Sequence, residues 1–195
     1  MQDDKIIAIA DTNANPGPLG LAAFGMTTIL LNIHNAGFFP MDTMIFAMGI
    51  FFGGIAQVIA GIMEFKKKNT FGFTAFISYG FFWISLVALM VMPKLGWGDA
   101  PTKASMISYL CAWTLFTFFM TIGTFRLNRA LQFVFITLVI LFVLLITADV
   151  TGDESIHHFA GYEGIICGLS ALYTSMAQVI NELYGKTVMP IGARK

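Results

Sequence analysis

Charge is what this chain has least of. Asp, Glu, Lys and Arg together make up 11% of its 195 residues, against about a quarter in soluble domains. So few charges cannot cover a water-facing surface. A run such as Phe81-Phe82-Trp83-Ile84-Ser85-Leu86-Val87-Ala88-Leu89 lacks the polar stripe that a soluble helical bundle would need on its outer face. An excess of either sign is also missing: the formal net charge is zero, so nothing suggests a polyanionic partner, and no nucleic-acid binding is expected. Cysteine is nearly absent. Cys111 and Cys167 both lie within apolar runs, where they read as small buried hydrophobes and not as a disulfide frame or a metal site. Only three histidines occur, His34, His157 and His158, and none shows a His-x-x-x-His spacing. No metal, haem or other cofactor is therefore expected.

What the chain has instead is hydrophobicity: 57% of residues are apolar and 14% are aromatic. Crossing a bilayer takes about 20 apolar residues, and six stretches qualify, at about 18–36, 43–63, 71–92, 104–125, 130–148 and 159–180. Short connections separate them: Pro40 with Asp42, Lys66 to Asn69, Pro93 through Pro101, Arg126 to Arg129, and Asp149 to His158. The expected fold is an all-α integral membrane protein in which residues 1–195 form a single six-span domain. Two early aspartates and the lack of a long apolar h-region before Asn15 argue against a cleaved signal peptide, so the first span is expected to serve as the insertion signal. Inside the spans the one acidic residue is Glu163, a little over one turn into the last.

Orientation follows from the basic residues. Lys5, Lys66, Lys67, Lys68, Arg126, Arg129, Lys186, Arg194 and Lys195 fall on one side of the six spans, and only Lys94 and Lys103 on the other. By the positive-inside rule the first group faces the cytoplasm, which puts both termini there and the protein in a cytoplasmic (inner) membrane. The three histidines then map to the outer end, beside Asp149, Asp153 and Glu154.

Packing signals are of the membrane type. Gly49 and Gly53, and likewise Gly164 and Gly168, are four apart, a spacing that brings helix backbones together within or between protomers. Gln57, Gln132 and Gln178 are costly against lipid and face other helices or a path. Ala56-Gln57-Val58-Ile59 recurs as Ala177-Gln178-Val179-Ile180 in two parallel spans, a weak repeat. At the start of the first span, Asn15-Pro16-Gly17-Pro18-Leu19-Gly20-Leu21 packs two prolines and two glycines behind a capping asparagine. Such a helix start reads as an N-cap and turn. It also reads as a carboxylate site, with free N–H groups and the positive end of the dipole.

The run Asn15 to Phe24 resembles the signature of the acetate uptake, or succinate-acetate permease, family of bacteria, archaea and fungi. The resemblance continues through Phe24 to Asn32, Gly53 to Gln57, Asn69 to Gly72, Leu131 to Phe135 and Val188 to Gly192. It spans nearly the whole chain and departs at Gly17, where alanine or another small apolar residue is usual. The resemblance implies a six-helix protomer in a homohexameric ring, each protomer carrying acetate and, in some members, succinate. The path is narrowed by residues that correspond to Phe24, Tyr79 and Leu138. Depth agrees: these residues lie about 9 to 12 Å into three spans that run outward, close enough to share a layer.

Neighbours of this layer complete the expected site. Thr27 and Thr28 lie one turn beyond Phe24 and offer hydroxyls to a passing carboxyl group, or bond back to their own helix. With Asn15, Gly20, Leu21 and Gln57 they make up the expected substrate-binding set. The expected function is a channel or transporter for acetate and related small carboxylates, linked to protons and embedded in lipid, without enzyme chemistry. A neutral-solute channel for urea or an amide is the nearer rival. A membrane anchor subunit of a redox enzyme, which would need paired histidines at matching depth, is the more distant one.

Overall fold

The computed structural model describes residues 14–192. Lys5, Arg194 and Lys195, used above for orientation, lie outside the described residues. Six helices are long and apolar enough to cross a membrane. They are α1 (Gly17–Asn35), α2 (Thr43–Lys66), α3 (Thr70–Val91), α4 (Lys103–Thr124), α5 (Arg129–Thr151) and α6 (Glu154–Tyr184). Side-chain caps start most of them: Asp42, Asn69, Thr102, Asn128 and Asp153 each accept from a backbone N–H in the first turn, which supplies partners for donors the helix leaves open.

Two boundaries differ from expectation, and both move an acidic residue. The stretch Asp149 to His158, expected as a connection, is helical apart from Gly152 and Asp153. Gly152, at φ 71°, ends α5, and Asp153 immediately caps α6. Glu163 therefore lies more than two turns inside α6, not near its start, and its two carboxylate oxygens are buried with no hydrogen-bond partner among the described residues. The second span, expected to end at residue 63, continues to Lys66. That extra turn buries Glu64, which is 4% exposed.

Helix α2 is not α-helical throughout. Met48–Ala56 winds as a π-helix, a wider turn that leaves carbonyls poorly matched. Two side chains take up these carbonyls: Thr27 Oγ1 donates to Met48 O at 3.5 Å, and Gln57 Nε2 to Gly53 O at 2.9 Å.

Helix α1 is packed hardest against α6. A Cβ on Gly25 would meet Gly168 O at 2.7 Å, and one on Gly168 would meet Gly25 O at the same distance. The Ser175 hydroxyl donates to Pro18 O. At the other extreme, α4 leaves Leu115, Phe118, Phe119 and Ile122 at least half exposed, a surface suited to lipid or to another protomer. The start of α1 and the end of α6 meet at one end of the bundle, where Asn15 reaches Gln178. Residues 186–192 return across that end. Asn181 Oδ1 accepts from the N–H groups of Val188 and Met189, and the N–H groups of Arg129 and Ala130 donate to the Gly192 and Ile191 carbonyls at 3.1 Å.

Candidate functional site

A shallow space of about 390 Å³ opens beside Arg129 and Tyr173, and two cavities that are more enclosed lie within the bundle, one toward each end. The one nearer the chain termini has a volume of about 340 Å³ and the other about 260 Å³. Three residues line both: Phe24 from α1, Tyr79 from α3 and Leu138 from α5. They are 6%, 3% and 4% exposed, so the two spaces meet at a closed apolar layer.

Tyr79 is held from several directions. Its ring centroid lies 5.9 Å from that of Phe24, 5.5 Å from Phe116 and 6.0 Å from Phe135. Its hydroxyl donates to Thr117 Oγ1 at 2.9 Å, and Thr117 Oγ1 donates in turn to the Trp113 carbonyl at 2.7 Å. The polar end of Tyr79 is thereby turned into α4, and the ring is what it offers to the layer. Phe24 and Leu138 have no polar atoms, so nothing in the layer replaces the hydration of a charge.

The larger cavity is polar at its open end. Asn15, Gln57, Glu64, Asn69, Asn128 and Gln178 line it. Asn69 Nδ2 donates to Glu64 Oε2 at 2.7 Å, and Asn15 Nδ2 to Gln178 Oε1 at 3.1 Å. Gln57 and Gln178, the glutamines of the short repeat, both donate through their amide nitrogens to backbone carbonyls four residues back. Gln57 Oε1 remains buried as an acceptor without a partner, in a side chain that borders the cavity.

The structure redistributes the expected binding set. Asn15, Leu21 and Gln57 line the larger cavity, and Thr28 lines the smaller. Gly20 and Thr27 line neither. A Cβ on Gly20 would strike the Phe76 ring at 2.6 Å, and Thr27 is 1% exposed, bonded to the π-helical segment and pressed on Gly53. Both are helix-contact positions. The free N–H groups expected at the start of α1 are also largely used. Gly17 N–H donates to Asn15 Oδ1 at 3.1 Å, Gly20 N–H donates to Pro16 O at 3.3 Å, and Pro18 has none. At most the N–H of Leu19 is left, so this helix start acts on a ligand through the Asn15 side chain and the dipole more than through a row of donors.

Two residues that line the smaller cavity each carry a polar atom buried without a partner, Thr28 Oγ1 and Trp83 Nε1. Both can donate, and both lie beside the apolar layer. His34, Asp149 and His157 line the same cavity. Sequence reasoning passed over Trp83, Glu64, Asn69 and Asn128. Trp83 sat in a run of aromatics that read as lipid-facing, and Glu64 adjoined the lysine cluster that marks the membrane surface. Asn69 and Asn128 stood in short connections and read as helix caps, Asn69 also within a stretch of the family resemblance.

A sequence model of the GPR1/FUN34/yaaH family matches residues 4–191. Among curated relatives, the succinate-acetate/proton symporter SatP of Escherichia coli K12 is 58% identical over 179 residues, covering 92% of this chain and 95% of its own length. The ammonia transport outward protein 2 of Saccharomyces cerevisiae is 36% identical over 174 residues, covering 85% of this chain and 61% of its own. Among solved structures, that of the bacterial acetate channel SatP matches with a TM-score of 0.91 at 57% identity, covering 92% of this chain and 99% of that one.

Proposed function

Since the chain belongs to the GPR1/FUN34/yaaH family, we propose that it is an inner-membrane channel or transporter for acetate and related small carboxylates, succinate among them, which cross together with a proton. The observation that carries this reading is the pair of cavities closed from each other by Phe24, Tyr79 and Leu138 alone. Burying a neutral polar group without a hydrogen bond costs about 2–7 kcal/mol, and an ionised carboxylate costs far more. A layer without donors therefore admits the protonated acid and resists the bare anion.

On this reading Gln57 Oε1 receives the acid's O–H on one side of the layer. Thr28 Oγ1 and Trp83 Nε1 donate to its carbonyl oxygen on the other. Asn15 sets the polarity of the inner opening through the start of α1. Both termini face the cytoplasm by the distribution of lysine and arginine, six protomers assemble into a ring with one pathway each, and no covalent step occurs.

The test is reconstitution in liposomes, with fluxes of acetate, formate, succinate, urea and ammonia compared over a pH series. Acetate flux that follows the supply of protons supports the reading. Flux of urea or ammonia without acetate overturns it and selects a neutral-solute channel. A redox anchor would use paired histidines at matching depth, and His34 and His157 do line one cavity, so this rival is decided by spectroscopy. A haem absorbance band in the purified protein would support it.

A further inference from the structure

The acid must acquire its proton before it meets the apolar layer, and the outer mouth contains groups able to supply it. We propose that His34 and His157, with Asp149 opposite, form a proton-loading site that protonates carboxylates as they enter the smaller cavity. This inference rests on the carboxylate reading above.

All three side chains line that cavity, from α1, α6 and α5. His34 sits in the last turn of α1, and its Nδ1 lies 2.8 Å from the Phe39 carbonyl. A carbonyl only accepts, so Nδ1 carries a hydrogen, and Nε2 is left as the atom that gains or loses a proton. The His157 ring stands beside the backbone of Asn35, where α1 ends. The charged and titratable groups within electrostatic reach of His157 are Asp149 of α5, His34 of α1 and His158 of its own helix. His158 does not line the cavity and instead stands 3.9 Å from Glu154. Lys103 of α4 is turned to the Val150 carbonyl at 3.4 Å.

The step is a simple transfer. An imidazolium gives its Nε2 proton to the carboxylate, which leaves neutral imidazole and neutral acid, and outer water reprotonates the ring. Imidazole and carboxyl groups in water differ by about two pH units in proton affinity. That gap narrows as the carboxylate leaves water for an apolar cavity, because burial favours its neutral form.

The experiment is acetate flux into liposomes at a fixed total acetate concentration and varied outer pH, for wild type and the His34→Gln/His157→Gln double variant. If the acid arrives already protonated from bulk water, flux falls about tenfold per pH unit above the acetate range. Loading by histidine makes the wild-type profile shallower than tenfold per unit over the range in which imidazole exchanges protons, about pH 5 to pH 6.5. The double variant is expected to regain the tenfold slope and to fall about tenfold behind wild type near pH 6.5. A slope does not depend on the amount of active protein. A double variant with the wild-type slope overturns the proposal. A double variant with no flux is decided by NMR of the wild-type imidazole rings: acetate at about pH 6 must shift the His34 and His157 signals, and unshifted rings overturn it. Wild type that passes no acetate at all defeats the carboxylate reading instead, and this inference falls with it.

Discussion

At the scale of single residues, the closed layer separates bulk from polarity. Leu138→Ala removes bulk at a position 4% exposed, and truncations of this kind cost about 2–5 kcal/mol in a filled core. Leu138 borders two cavities, so the vacated space joins them, and the expected result is a several-fold rise in succinate flux relative to acetate. Tyr79→Phe keeps the ring and removes only the hydroxyl that donates to Thr117. It is expected to lower stability by about 0.5–1.5 kcal/mol with the flux ratio unchanged. Measuring both ratios in liposomes checks the layer, and wild-type ratios in both variants would remove it. Asn15→Leu tests the inner opening. The variant loses its links to Gly17 N–H and Gln178, and a helix-end charge effect of about 0.3–1 kcal/mol predicts a weakening of acetate binding by a few-fold with assembly intact. Affinity and oligomer size taken on one sample distinguish this from a purely structural cap, for which assembly fails and affinity holds.

Among whole elements, the contact between α1 and α6 governs whether the path exists. Gly25 and Gly168 let the two backbones touch, and a side chain on Gly168 has backbone as its nearest obstacle. Gly168→Val is therefore expected to abolish stable protein in a thermal-melt assay, since backbone cannot move aside as a flexible side chain can. Gly17 gives the opposite outcome. A Cβ there would sit 3.2 Å from Asn15 Oδ1 and 3.4 Å from Glu64 Oε1, both on side chains that can shift. Gly17→Ala should be tolerated and should raise stability by about 0.4–1 kcal/mol by restricting the unfolded chain. A lower melting temperature for Gly17→Ala would mean that the Asn15–Glu64 wall is more rigid than these distances suggest.

On the scale of the whole molecule, the apolar faces leave two tasks, contact with lipid and contact with copies. The wide exposure of Phe51, Phe81, Phe118 and Phe119 suits both, and a homohexamer is the assembly we propose. Native mass spectrometry in mild detergent should give six copies, and a monomer that conducts acetate would remove the ring. Orientation has its own check. A cytoplasm-dependent fluorescent reporter fused after Lys195 should be bright, and a periplasm-dependent phosphatase in the same place inactive. The reverse pattern would invert the assignment of inner and outer cavities and with it the side from which His34 and His157 load protons.

Six spans and their approximate limits were legible in the sequence because lipid imposes one rule on every segment: apolar length without charge. The start of α1 at Gly17 and the limits of α3 and α4 fall within a residue or so of the apolar runs for that reason. Where the rule was read too literally it failed. Glu64 and the turn around His157 are polar yet helical, since Asn69 and Asp153 cap the next helices so tightly that the connections shrink. The π-helical stretch of α2 could not be read from residues 48–56, because it arises from what packs on it: Thr27, Ile84 and Trp83 against glycines. Depth along three spans set Phe24, Tyr79 and Leu138 at one level, but a level is not a contact, and the turn of each helix about its own axis comes from its neighbours. The same holds for Thr27 and Thr28, adjacent in sequence and alike in chemistry. Helix rotation sends one into the π-helical contact and the other into the cavity, a choice that only tertiary packing makes.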